Sequence, residues 1–225
     1  VVIVLSVLVA SGACVTREAP SRPAAAPPAV YVAVGASETV GVGADDPATQ
    51  AWPAVFFHTA GLPARSTYTN VGISGAKVST ALERELAPAL AAKPTLVTVW
   101  LNVNDLLAFV PVGTYEASLR ELVHGLRQGG RARVLVANTP PVEVFGTRGG
   151  SLASMLTPAV DAYNAAIARV CRDEGAEVVD LHAAGAAAVK DGRAPALLAA
   201  DRFHPSTAGH AAVAAEFAAA YHRPR

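Results

Sequence analysis

Five short runs of β-branched and apolar residues, each separated from the next by a longer stretch, constrain this chain more than any other feature it has. Residues 30–34, 67–71, 95–101, 133–138 and 177–181 read as strands. Residues 75–92, 114–128 and 157–173 show helical spacing, the last opening on Thr157 as a cap with Pro158 at the first helical position, and a final helix is expected from near Pro205. Strands alternating with helices of this length require right-handed crossovers, and therefore a mainly parallel sheet covered on both faces. The fold class is α/β, and in such sheets sites form at the carboxyl ends of the strands.

With 225 residues, 52% of them apolar, the chain has the material for one well-buried domain. Eighteen basic residues balance eighteen acidic ones, so no surplus of charge favours nucleic acid, and a neutral or small substrate fits better. Residues 1–9 form an apolar run too short to span a bilayer, which takes roughly 20 residues, and read as the core of a signal peptide. Ala10-Ser11-Gly12-Ala13-Cys14 follows, similar to the lipobox at which bacterial lipoprotein precursors are cleaved and lipidated, although Ser11 stands where leucine is usual. The chain thus divides into a signal and lipobox-like segment (1–14), a Pro/Ala-rich tether without large apolar residues (15–28) and a folded domain (29–225). An extracytoplasmic protein is expected, tethered to a membrane through a lipidated Cys14 or, with Cys14 incidental, simply secreted. The other cysteine, Cys171, falls in an amphipathic helical pattern as a buried free thiol.

The first strand runs into Gly35-Ala36-Ser37-Glu38-Thr39-Val40-Gly41, which places a serine just past a carboxyl end between glycines that allow close backbone approach. Thr39 stands two residues after Ser37, so the segment is not the G-x-S-x-G elbow of the α/β-hydrolases. Alone it reads equally as a helix cap or a phosphate-cradling loop. Near the C-terminus, Asp201-Arg202-Phe203-His204-Pro205 sets an acid three residues before a histidine. An alcohol is a poor nucleophile at neutral pH; a neutral imidazole must take its proton, and a carboxylate on the other ring nitrogen fixes the tautomer. Two further strand ends, Asn70-Val71-Gly72-Ile73-Ser74-Gly75 and Asn102-Val103-Asn104-Asp105, offer donors for an oxyanion: the Gly75 N–H at the start of a helix and the Asn104 side-chain amide, beside the Ser37 N–H. Turn formation is the alternative at each.

These four segments, in this order, resemble the blocks of the GDSL/SGNH hydrolase family over residues 30–221. The resemblance maps the family's serine onto Ser37, its glycine onto Gly75, its asparagine onto Asn104 and its D-x-x-H onto Asp201 and His204. Trp52-Pro53 looks like the Trp-Pro segment that follows the first block in many members, where it packs. Ala36 stands where the family usually has the aspartate of Gly-Asp-Ser, and Asn102 where its Gly-x-Asn-Asp motif has glycine. The resemblance implies a three-layer α/β/α sandwich with a five-stranded, flavodoxin-like parallel sheet, and a serine esterase acting on short acyl esters without cofactor or metal. Glycan or lipid esters of the cell envelope are the expected substrates, and a monomer is expected. Acyl transfer to a sugar hydroxyl would use the same residues, and a binding module that keeps the fold without the activity is the alternative from another class. The other histidines (His58, His124, His182, His210 and His222) read as surface or packing residues, Glu38 and Asp105 as neighbours of the site, and Asp45-Asp46 as solvated.

Overall fold

The five predicted strands assemble into a single parallel sheet in the computed structural model of the chain, which describes Val2, residues 26–145 and residues 151–224. Strands β1 (Val30–Gly35), β2 (Thr67–Asn70), β3 (Leu96–Trp100), β4 (Arg133–Ala137) and β5 (Glu177–Val179) lie in the order β2-β1-β3-β4-β5. The register sets Val32 opposite Val97 and Val97 opposite Val134. The order reverses between β1 and β3, where loops leaving adjacent strands part and open a crevice.

Helices α1 (Ser37–Val40), α2 (Pro47–Gln50) and α3 (Trp52–Thr59) follow β1, and α4 (Val78–Arg84) and α5 (Leu86–Ala91) follow β2. After β3 come α6 (Val103–Leu107) and α7 (Val112–Arg127); α8 (Ser151–Glu174) leads into β5, and α9 (Leu181–Lys190) and α10 (Thr207–Tyr221) complete the chain. The two-residue period of the strands sends Val32, Val34, Val97, Val99, Val134 and Val136 to one face, against Leu119, Leu122 and Ile167 of α7 and α8. Tyr31, Ala33, Trp100 and Leu135 meet Trp52, Phe56 and Phe217 of α3 and α10 on the other. The result is a three-layer α/β/α sandwich, and the central strands read as unbroken apolar runs because both their faces are covered. Trp52 stacks on Phe217 with ring centroids 4.2 Å apart, a packing role.

Four sequence expectations need correction. The helical stretch at 75–92 is two helices, since Pro88 has no N–H for the Arg84 carbonyl and its ring crowds it; the chain breaks at Glu85. Pro158 is interior to α8, which begins at Ser151, and not its first residue; Leu156 and Val160, both buried, hold the helix to the core across the missing hydrogen bond. The last helix begins at Thr207, capped by the Ser206 hydroxyl, while Pro205 pairs with Leu198. Gly75 lies in a turn at φ +78°, three residues before α4, rather than at a helix start. Apart from Val2, segment 1–14 and tether residues 15–25 lie outside the described residues, Cys14 included.

Candidate active site

Ser37 is the first residue of α1, set directly against the end of β1. A side chain at Gly35 would collide with the Thr39 side chain and the Trp100 carbonyl, so only glycine lets the chain turn this sharply. The Ser37 residue is 6% exposed. Its Oγ lies 2.9 Å from His204 Nε2, and His204 Nδ1 lies 2.6 Å from Asp201 Oδ2. The other Asp201 oxygen accepts the backbone N–H groups of Phe203 and His204, at 2.9 and 3.0 Å. The hydrogen bond from His204, followed by that from the Phe203 N–H, lowers the Asp201 carboxyl to about 2. The turn needs Arg202 in the left-handed region, φ 57°, and is closed by the Ala199 N–H on the His204 carbonyl, 2.9 Å. Gly43, φ +97°, backs this loop: a Cβ there would overlap the Pro205 carbonyl.

The two other predicted segments close around the same serine. The Ile73 N–H donates to the Gly35 carbonyl, 2.9 Å, and Asn70 Nδ2 to the Thr39 carbonyl, 2.6 Å, so the chain after β2 is stitched to the turn that carries Ser37. Asn104 Nδ2 donates to the Ala76 carbonyl, 3.0 Å, and keeps its second amide proton for another acceptor. Among the described residues, the N–H groups of Ser37 and Gly75 donate no hydrogen bond. Two backbone donors and half of an amide are thus left unspent in these three segments.

Two carboxyls lie behind the turn, where the departure at Ala36 takes a hydrogen-bonding group away. Glu85 is fully buried and its Oε2 accepts the Gly35 N–H at 2.9 Å. Glu38 accepts from the Ala36 N–H, and its other oxygen lies near the Ser37 hydroxyl oxygen, both at 3.4 Å. Burial raises each from 4.5 to about 7. For Glu85 the folded state therefore holds a proton that the unfolded chain has released between pH 4.5 and about 7. Stability contributed below that window is lost as pH rises through it, by on the order of 3 kcal/mol at 1.36 kcal/mol per unit. Glu85→Gln keeps an acceptor for Gly35 and removes the ionisation. Its Tm relative to wild type is expected to climb by about 5 °C or more between pH 5 and pH 8 in thermal melts; a difference that does not vary with pH would refute this role for Glu85.

Sequence reasoning found Gly35 as a glycine that allows close backbone approach but did not find Glu85 or Gly43 as supports of the site; a charged residue amid apolar helix positions was the one available signal for Glu85. Asn102, directly before α6, turns its Nδ2 aside to the Ala137 carbonyl, 3.2 Å, tying the ends of β3 and β4 together. Asp105, buried, caps α4 from outside by accepting the Val78 N–H at 3.1 Å; burial raises its carboxyl to about 6. Asp46 caps α2 and Asp45 bonds Thr207, so that exposed pair has structural tasks. His210 is buried, accepting from the Trp52 N–H and donating to the Val42 carbonyl, which defines it as a packing residue. Cys171 is buried, and desolvation raises its thiol to about 12.

Residues 33–212 match the profile of the GDSL-like Lipase/Acylhydrolase family. An acetylxylan esterase of Geobacillus stearothermophilus is 32% identical over 158 residues, 66% of this chain and 68% of that protein. Among solved structures, Axe2, an acetylxylan esterase from Geobacillus stearothermophilus, superposes with a TM-score of 0.69 at 22% identity over 87% of this chain and 95% of that one. LAE5, an alpha/beta hydrolase enzyme from the metagenome of Lake Arreo, Spain, gives 0.67 at 24% identity over 85% and 94%. At these identities the two superpositions speak for the fold.

Proposed function

The chain belongs to the GDSL-like Lipase/Acylhydrolase family, a family of carboxylic ester hydrolases, and on that premise we propose that Ser37, His204 and Asp201 are its catalytic triad. The observation that carries the proposal is the hydrogen-bonded relay from Asp201 Oδ2 through both ring nitrogens of His204 to Ser37 Oγ. With Nδ1–H donating to the ionised Asp201, Nε2 is the acceptor. It takes the Ser37 proton as Oγ attacks the ester carbonyl carbon. The N–H groups of Ser37 and Gly75 and the free amide proton of Asn104 receive the oxyanion. Collapse expels the alcohol, which leaves with the proton from Nε2. Water then attacks the acyl-enzyme, gives its proton to Nε2, and releases the acid and Ser37.

Hydrolysis of p-nitrophenyl esters, followed by nitrophenolate release and by titration of the acid formed, tests this reading; a folded protein that leaves such esters at their background rate would overturn it. Asn104→Ala tests the oxyanion assignment: kcat is expected to fall about 10²- to 10³-fold with KM little changed, because the lost donor acts on charge that develops only in the transition state. A rise in KM alone would instead make Asn104 a substrate-binding residue.

The name of the acetylxylan esterase relative supports an ester of a carbohydrate hydroxyl as one substrate class. The run at residues 1–9 and the Ala10–Cys14 sequence support an exported enzyme, held to the outer face of a membrane by a lipid on Cys14, with residues 29–225 as the hydrolase domain.

A further inference from the structure

A cavity of ≈ 160 Å³ opens at the proposed site, where Glu38, Asn104 and His204 line one end. From there it runs between α9 and α10. Each helix presents a stripe of residues at spacings i, i+3, i+4 and i+7: Leu181, Ala184, Gly185 and Ala188 on α9, and Gly209, Ala212, Val213 and Glu216 on α10. Because Ala184, Ala188 and Ala212 are small, two helices that both begin at the carboxyl edge of the sheet leave a trench between them where larger side chains would have closed it, while Gly185 lets Pro141 and Val144 pack against α9. Leu197, Leu198 and Phe203 roof the trench and Trp100 lies beneath. The roof lies tight on α10: a Cβ on Gly209 would overlap the Leu197 carbonyl. The other charged groups in the lining are Arg193 and Glu216, the latter the last residue of the α10 stripe.

Seven residues of helix rise about 10 Å. An extended alkyl chain advances about 1.25 Å per carbon, from a bond near 1.5 Å and a near-tetrahedral angle, so the stripe has room for about eight carbons. The volume falls below the roughly 300–1,000 Å³ of pockets that hold drug-sized ligands, which suits one unbranched chain. We propose that the substrate ester carries a medium-length alkyl chain of about eight carbons, which lies in the trench between α9 and α10. This rests on the reading of Ser37 and His204 as the reacting groups, and it differs from the short-acyl expectation drawn from the sequence. The chain can belong to the acyl group or to the alcohol; both present the same apolar surface to the trench.

Four esters distinguish the cases: p-nitrophenyl acetate, p-nitrophenyl octanoate, ethyl acetate and octyl acetate, each below its micellar concentration where it has one. Each methylene buried in the trench raises kcat/KM about fourfold until the trench is filled. Six methylenes separate the two acyl groups, so the octanoate is expected to exceed the acetate by on the order of 10³ to 10⁴, with a plateau near eight carbons in a graded series. A corresponding advantage of octyl acetate over ethyl acetate would seat the chain of the alcohol there instead. Ala184→Phe, which projects a ring into the middle of the trench, should lower the octanoate-to-acetate ratio at least tenfold; the ratio cancels any general loss of folded enzyme. If wild type splits p-nitrophenyl acetate as fast as the octanoate, and ethyl acetate as fast as octyl acetate, the trench proposal falls and the esterase reading stands. If no ester is split, both fall.

Discussion

Ser37→Ala is expected to lower kcat for p-nitrophenyl ester hydrolysis by about 10⁵ to 10⁶, leaving the residual rate that oriented donors and binding supply without a nucleophile. The loss should come without unfolding. Ser37 is the first residue of α1, and alanine there loses no backbone hydrogen bond and meets no steric obstacle. Among the described residues, its hydroxyl has as hydrogen-bond neighbours His204 Nε2 and Glu38 Oε2, the latter at a long 3.4 Å. The Tm is accordingly expected to stay within about 2 °C of wild type. Measured together, turnover and the thermal melt separate a missing nucleophile from a damaged fold. Equal rates for the two proteins would remove Ser37 from the mechanism altogether.

The sheet was legible because its signal is local. Val32, Val97 and Val134 lie in short apolar runs that any strand buried on both faces must have, and the turns between them are marked by Gly, Asn and Pro. Helix ends were less legible, since they depend on contacts across the chain: Pro158 is tolerated inside α8 by the burial of Leu156 and Val160, and α4 is capped by Asp105 from another element. The residues proposed for the chemistry were legible as a set only, because no one of Ser37, Gly75, Asn104, Asp201 or His204 carries a pattern that separates it from a cap or a turn. What holds them in place was not legible. Glu85 reaches Gly35 across fifty positions of sequence, and Gly43 is required by a carbonyl at Pro205; neither contact leaves a periodic trace. The trench was hidden for the opposite reason. Alanines in α9 and α10 look like generic helix formers, and only the pairing of two helices turns their small size into a space.

Asp201→Asn is expected to cost about 10⁴ in kcat, and more than Asp201→Ala. In wild type one carboxylate oxygen is committed to the N–H groups of Phe203 and His204, and the other faces His204 Nδ1. An asparagine must keep its carbonyl oxygen on those two backbone donors, since an NH₂ group there would leave them unsatisfied. Its NH₂ is therefore forced toward Nδ1. The ring answers by accepting at Nδ1 and carrying its proton on Nε2, which is the wrong tautomer for taking the proton of Ser37. Alanine imposes no tautomer. The Asp201 side chain is 47% exposed in wild type, so water can reach Nδ1 in its place, and a smaller loss than for asparagine is expected. The same exposure means that Asp201 contributes orientation and tautomer choice more than buried charge, and with its carboxyl lowered to about 2 it stays ionised throughout the neutral and mildly acidic range. Its ionisation contributes stability above the ordinary carboxylate value of 3.8, which is lost only as pH falls through about 2, so the acid limb of the pH–rate profile above pH 4 is not its own. Steady-state kcat for both variants at several pH values decides the matter. An alanine variant as slow as the asparagine one would mean that the carboxylate charge itself, and not the tautomer it selects, drives the reaction.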